Sequence, residues 1–220
     1  MGLVGIATEK ILSSFSVFLF LTILLLAVAR RISTSILLFA LQSAIIAAEV
    51  LATAFRERLP EVYIVGALVF LIKVVAIPRA LFLLVKRLKT VRDVKASTTS
   101  AQSVFIAAAI IYLSYAAVHS YGGAVHVPDD PLAAAIALIL TGAFLMVSRK
   151  KALMQMLGLL VLENGIFLAA LITTFGMPLV IEIGIFFDIL MGLLLMGIFT
   201  FRISDTFEHL DVSKLRRLRG

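Results

Sequence analysis

Lys73, Glu163 and Asp188 stand near the centres of three separate apolar runs, residues 62–85, 151–174 and 178–201. Ammonium and carboxylate groups can trade a proton, because a low-dielectric medium disfavours the charged form of each. A charge at the middle of a bilayer-spanning helix costs roughly 3 kcal/mol on insertion scales, so such residues mark ion paths and proton relays. Two carboxylates facing one lysine leave a surplus negative charge. The alternative chemistry is a buried ion pair that only locks helices together.

The elements that must hold these groups are long apolar helices. Hydrophobic residues make up 62% of the 220 and charged ones only 15%, with a mean hydropathy of +1.13. Globular domains carry about 25% charged residues, and runs of this length are too long for core helices. The pattern predicts an all-α, polytopic membrane protein with seven transmembrane helices. These are Leu12–Ala29, Ile32–Phe55, Val62–Val85, Ala101–Tyr121, Pro131–Val147, Lys151–Thr174 and Pro178–Phe201. Pro131 and Pro178 suit a first helical turn, where a missing N–H is no loss. Pro78 should kink the third helix and free carbonyls near Val74 and Ile77.

Ala27-Val28-Ala29 resembles a signal-peptide cleavage site, but Arg30 and Arg31 follow the run while Glu9 and Lys10 cancel before it. A secretory signal has the opposite polarity, so the first run is read as a retained helix. Lys10, Arg56 and Arg58 fall on one side of the membrane and fifteen basic residues on the other. The positive-inside rule then predicts the N-terminus outside and the C-terminus in the cytoplasm.

Orientation converts position into depth. With a rise of 1.5 Å per residue, Lys73, Glu163 and Asp188 lie within roughly 3 Å of the midplane, with Gln42 at about the same level. By the same rise, Glu49 lies roughly 8 Å and Glu182 about 11 Å toward the outside. The candidate ion-translocation residues are therefore Glu163, Asp188, Lys73, Glu49 and Glu182, with Gln42 and Asn164 as polar support. Arg79 reads as an interfacial anchor whose stem can snorkel to the headgroups. Gly158 and Gly165 near Glu163, like Gly184 and Gly192 around Asp188, could serve close helix packing or leave room for water.

Composition excludes several function classes. There is no cysteine, so disulfides, iron–sulfur ligation and thiolate zinc sites are ruled out. His126 and His209 lie outside the apolar runs and His119 stands only at the loop end of one, so no histidine is placed within the membrane interior to ligate a haem. The +7 net charge sits in inter-helix loops, a topology signal rather than a nucleic-acid-binding face. The loop from His119 to Asp130 shows no convergence of ligands for a metal. No catalytic residue, cofactor or metal is expected on this chain.

Arg149-Lys150-Lys151 followed by Leu157-Gly158-Leu159-Leu160-Val161-Leu162-Glu163-Asn164 resembles the second helix of the subunit K family of NADH:quinone oxidoreductase (respiratory complex I). There a basic loop precedes a helix with a mid-membrane glutamate, and a carboxylate follows on the next helix. Asp188, within Phe186-Phe187-Asp188-Ile189-Leu190-Met191-Gly192, takes that place, as Asp rather than the usual Glu. The whole chain, including Phe201-Arg202-Ile203-Ser204-Asp205, Leu210-Asp211 and Leu215-Arg216-Arg217-Leu218-Arg219-Gly220, is similar to the component E family of hydrogenase-4.

That resemblance implies a non-catalytic subunit in the membrane arm of a group 4 [NiFe]-hydrogenase or formate hydrogenlyase-type complex, in a prokaryotic cytoplasmic (inner) membrane. It implies antiporter-like and quinone-subunit-like neighbours, a peripheral hydrogenase arm, and a lateral line of polar residues carrying H⁺ or Na⁺. Three segments follow: an N-terminal four-helix membrane segment (1–130), a subunit-K-like three-helix segment (131–201) and a cytoplasmic basic tail (202–220). Lys73 falls outside the part shared with subunit K. Two other readings stay open, a component of a cation/proton antiporter built from several different proteins, and a purely structural bridging subunit. The two halves of the chain also suggest a distant repeat, with Arg30-Arg31 before Glu49 and Lys150-Lys151 before Glu163.

Overall fold

The computed structural model describes residues 3–57, 60–87, 99–120 and 128–173, together with Gly192. The expected helix Pro178–Phe201, Glu182, Asp188, the tail 202–220, His126 and His209 lie outside the described residues. Everything described is helical or a short turn: α1 (Leu3–Val28), α2 (Ile32–Glu57), α3 (Pro60–Val69), a π-helical segment (Phe70–Ala76), α4 (Ile77–Arg87), α5 (Ser100–Ser120), α6 (Asp129–Ser148) and α7 (Ala152–Thr173). The α3, π and α4 segments follow one another without a break and form a single rod.

Residues 32–55, 62–86, 100–120, 129–148 and 152–173 are each long and apolar enough to cross a membrane. At 1.5 Å per residue even the shortest matches a hydrocarbon core of about 30 Å. The protein is a helical membrane protein. In α1 the uninterrupted apolar part, Ser13–Val28, is shorter, but the helix itself begins at Leu3, nine residues before the expected start. Glu9 and Lys10 therefore belong to its first turns rather than to a flank.

Local chemistry sets the helix ends. The Thr99 hydroxyl accepts from the Gln102 N–H at 3.3 Å while the Gln102 side chain accepts from the Thr99 N–H at 2.9 Å, a reciprocal capping box that starts α5. Asp129 and Asp130 occupy the first turn of α6, where the helix dipole favours negative charge. Pro128 precedes them in an extended conformation, so α6 starts two residues before the expected Pro131.

The anticipated disturbance at Pro78 takes a specific form. Proline offers no N–H, and the preceding turns widen to a five-residue register in which the Ile77 N–H reaches the Ile72 carbonyl. Lys73 sits inside that widened stretch.

Short turns make α1–α2 and α6–α7 antiparallel hairpins. α2 is the hub, touching α1, α7 and each part of the α3–π–α4 rod, while α1 also packs on α5 and α6. One continuous core runs from Leu19, Ile23 and Phe39 through Ile46 and Leu81 to Leu138, Leu145 and Met154. It joins the described parts of the two expected membrane segments. Phe105, Tyr112 and Leu113 of α5 project outward, as side chains of a lipid-embedded helix do.

Glycine brings α6 and α7 together. A Cβ at Gly158 would lie 2.9 Å from both the Gly142 oxygen and the Met146 nitrogen, and one at Gly165 would lie 2.7 Å from the Ile139 nitrogen. A Cβ at Gly142 would strike the Leu162 backbone. Of the two roles expected for Gly158 and Gly165, close backbone packing is the one found.

Candidate functional site

Four of the expected residues meet in the interior. The Lys73 ammonium lies 3.3 Å from a Glu163 oxygen and donates to Asn164 Oδ1 at 3.2 Å. Asn164 Nδ2 donates to Gln42 Oε1 at 3.3 Å and to Ser43 Oγ at 3.1 Å. Gln42 Nε2 donates to Thr22 Oγ1 at 3.2 Å, and Thr22 donates to the Leu19 carbonyl at 2.7 Å. All are buried, Glu163 the most exposed among them at 7%.

This is a polar layer crossing the bundle from the rod to α7, α2 and α1. Its bonds run one way: each link from Lys73 to the Leu19 carbonyl donates toward α1. The amide oxygens thereby present their negative ends toward the ammonium, which also stands 5.3 Å from the centre of the Phe167 ring. Amides do not gain or lose protons near neutral pH, so Gln42 and Asn164 orient and stabilise. Lys73 and Glu163 are the members able to exchange a proton.

Lys73 reaches this layer from within the widened turn. π-helical insertions are rare and are frequently found at functional sites. Sequence reasoning placed Lys73, Glu163, Asp188 and Gln42 at one level with Asn164 as polar support, of which Asp188 lies outside the described residues, but missed Thr22, Ser43 and Phe167. A depth count applied to uncharged polar residues finds Thr22 and Ser43, and the positions of Phe167 and Asn164, three apart on α7, find the aromatic neighbour.

Glu49 is not part of the layer. It is 1% exposed, on α2, and neither carboxyl oxygen has a hydrogen-bond partner among the described residues. Arg79 is exposed, as an anchor should be. His119 stacks on Tyr115 with ring centroids 4.3 Å apart.

The basic turn between α6 and α7 departs from expectation. Arg149 was read as a loop charge, yet it is 1% exposed and donates from Nη2 to the Ala27 carbonyl at 2.6 Å. A cation at the C-terminal end of α1 satisfies a carbonyl that the helix leaves open. Gln155 in turn donates to the Arg149 carbonyl at 2.9 Å. Burial, and then the nearby Arg30 charge, lower the Arg149 pKa from its ordinary value. The two basic turns are thus clamped to each other despite like charge.

Neither a family model nor a solved structure matches this chain. It is 30% identical over 195 residues to uncharacterized protein Rv0085 of Mycobacterium tuberculosis (strain ATCC 25618 / H37Rv), covering 86% of this chain and 87% of that one. The chain belongs to the Rv0085 family. The chemistry of the polar layer rests on the geometry above.

Proposed function

We propose that this protein is a non-catalytic membrane-arm subunit of a redox-driven, ion-translocating complex of the group 4 hydrogenase or formate hydrogenlyase type, related to complex I. In this reading Lys73 and Glu163 form one station of a lateral path for H⁺ or Na⁺ at mid-membrane, and Asp188 and Glu182 continue it. The chain spans a prokaryotic cytoplasmic membrane seven times with its C-terminus inside. Its partners are antiporter-like and quinone-subunit-like membrane subunits and a peripheral hydrogenase arm that holds the redox centres.

The observation that carries the reading is the ion pair of Lys73 and Glu163 inside a one-way chain of amides, set by a π-helical turn. The lysine of the pair sits within the widened register that precedes Pro78. Pairs buried in low dielectric are often no more stabilising than apolar residues of the same volume. The purely structural reading draws on a different observation, the Arg149 clamp and the glycine-packed hairpin, which stiffen the bundle without any charge transfer.

Affinity purification of the tagged chain from native membranes, with identification of what accompanies it, tests the assignment. A nickel–iron catalytic subunit in the complex is the expected result. Cation/proton antiporter proteins in its place would move the chain to the antiporter class.

A further inference from the structure

Ser35, Gln42 and Glu49 follow one another at intervals of seven residues on α2, and all three are buried, at 0%, 0% and 1% exposure. Seven residues return a helix to nearly the same side after about 10 Å of rise. The three therefore form a polar stripe along the membrane normal, with Phe39 and Ile46 buried between its members. At the start of α2, Ser35 donates to the Arg31 carbonyl at 3.1 Å; beyond Glu49, Thr53 donates to the Glu49 carbonyl at 3.0 Å. Gln42 is the member that belongs to the Lys73–Glu163 layer.

Glu49 is the ionisable member of this stripe. Its two oxygens are enclosed and accept from no described residue, so no positively charged partner meets the carboxyl among the described residues. A bare carboxylate in such surroundings is far too costly to persist. A metal cation needs several oxygen ligands, and among the described residues no group of three or more His, Asp or Glu gathers. A proton needs only the carboxylate itself.

We propose that Glu49 is a proton-binding site about 10 Å from the Lys73–Glu163 layer along α2, so that the ion path has a leg along the membrane normal as well as a lateral one. The proton bonds to a Glu49 oxygen and leaves from it, with no change in redox state. On the orientation read from the loops, this leg opens toward the outer face. The inference rests on the relay reading of Lys73 and Glu163 for its connection inward, but the protonation of Glu49 is measurable without transport.

The test is carbodiimide labelling of the full-length protein in native membranes, with adducts mapped by mass spectrometry. Dicyclohexylcarbodiimide adds to protonated carboxyls in apolar surroundings. The expected result is an adduct on Glu49 that fades as pH rises, is unchanged by added Na⁺, is absent in Glu49→Gln and persists in Glu163→Gln. In parallel, the infrared band of a protonated carboxyl should be lost on Glu49→Gln. No adduct from acid to alkaline pH together with an unaltered infrared band would overturn the proposal, and Na⁺ protection at fixed pH would overturn the choice of ligand. Failure of the relay reading shows differently, as transport untouched in Glu163→Gln while Glu49 still labels.

Discussion

The α1–α2 and α6–α7 hairpins are built on one plan and solve the burial of an acid in opposite ways. Each is an antiparallel pair joined by a short basic turn, Ala29-Arg30-Arg31 in one and Arg149-Lys150-Lys151 in the other. Each carries polar residues near the middle of its second helix, Gln42 and Ser43 on α2 and Glu163 and Asn164 on α7, and Asn164 donates across the seam to both Gln42 and Ser43. The α6–α7 pair meets backbone to backbone at Gly142, Gly158 and Gly165. On α1 and α2 the buried side chains are bulkier, among them Leu19, Ile23, Leu26, Phe39 and Ile46. The acid of the glycine-packed hairpin has a cation waiting on the neighbouring rod, whereas that of the side-chain-packed hairpin, Glu49, has none among the described residues. Close backbone packing goes with an ion-paired acid, and the hairpin without such a glycine seam with an acid that has no described partner.

Breaking the pair should hurt most. Lys73→Met strands Glu163 in the core and should cost about 3–5 kcal/mol, as for other buried pairs deprived of one member. Adding Glu163→Leu should recover most of that loss in a double-mutant cycle read by unfolding in mixed micelles. Next comes the glycine seam: Gly158→Val must push α6 from α7 and should cost about 3 kcal/mol, the upper range of overpacking. The same unfolding assay measures it, and a tolerated valine would show that the seam can open.

The clamp between the turns ranks third. Arg149→Ala removes a charged donor from the Ala27 carbonyl and should lower stability by about 2 kcal/mol. Arg30→Ala relieves like-charge repulsion and should leave the melting temperature unchanged or raise it. The smallest effect belongs to the acid of the first hairpin. Glu49→Met removes a buried carboxyl that makes no described bond, so stability should change by less than about 1 kcal/mol, toward greater stability. A loss comparable to that of Lys73→Met would mean that Glu49 is held as firmly as Glu163.

Sequence made the level of the layer legible because helix rise is constant: counting from the ends of apolar runs was enough to put Gln42, Lys73 and Glu163 at one depth, with Asn164 next to Glu163 in the chain. It did not reveal which faces meet, so the pairing of Lys73 with Glu163 and the isolation of Glu49 needed coordinates. Thr22 escaped notice because one hydroxyl in an apolar run costs little and carries no charge. The π-helical segment was hidden for another reason. Phe70 to Ala76 is apolar apart from Lys73, so no periodicity marks a change of register, and only Pro78 hinted at it. Arg149 misled because a basic turn ordinarily reads as solvated, while a carbonyl left open by a helix in a distant part of the chain leaves no local trace.

Coupled ion movement in membrane vesicles containing the intact complex, compared between the native chain, Glu163→Asp and Glu163→Gln at matched complex abundance, addresses the Lys73–Glu163 station most directly. The account predicts roughly tenfold or greater loss in Glu163→Gln, within the range expected for removal of a proton-transferring group, with redox turnover retained and partial recovery in Glu163→Asp. Native rates of ion movement in a fully assembled Glu163→Gln complex would contradict it.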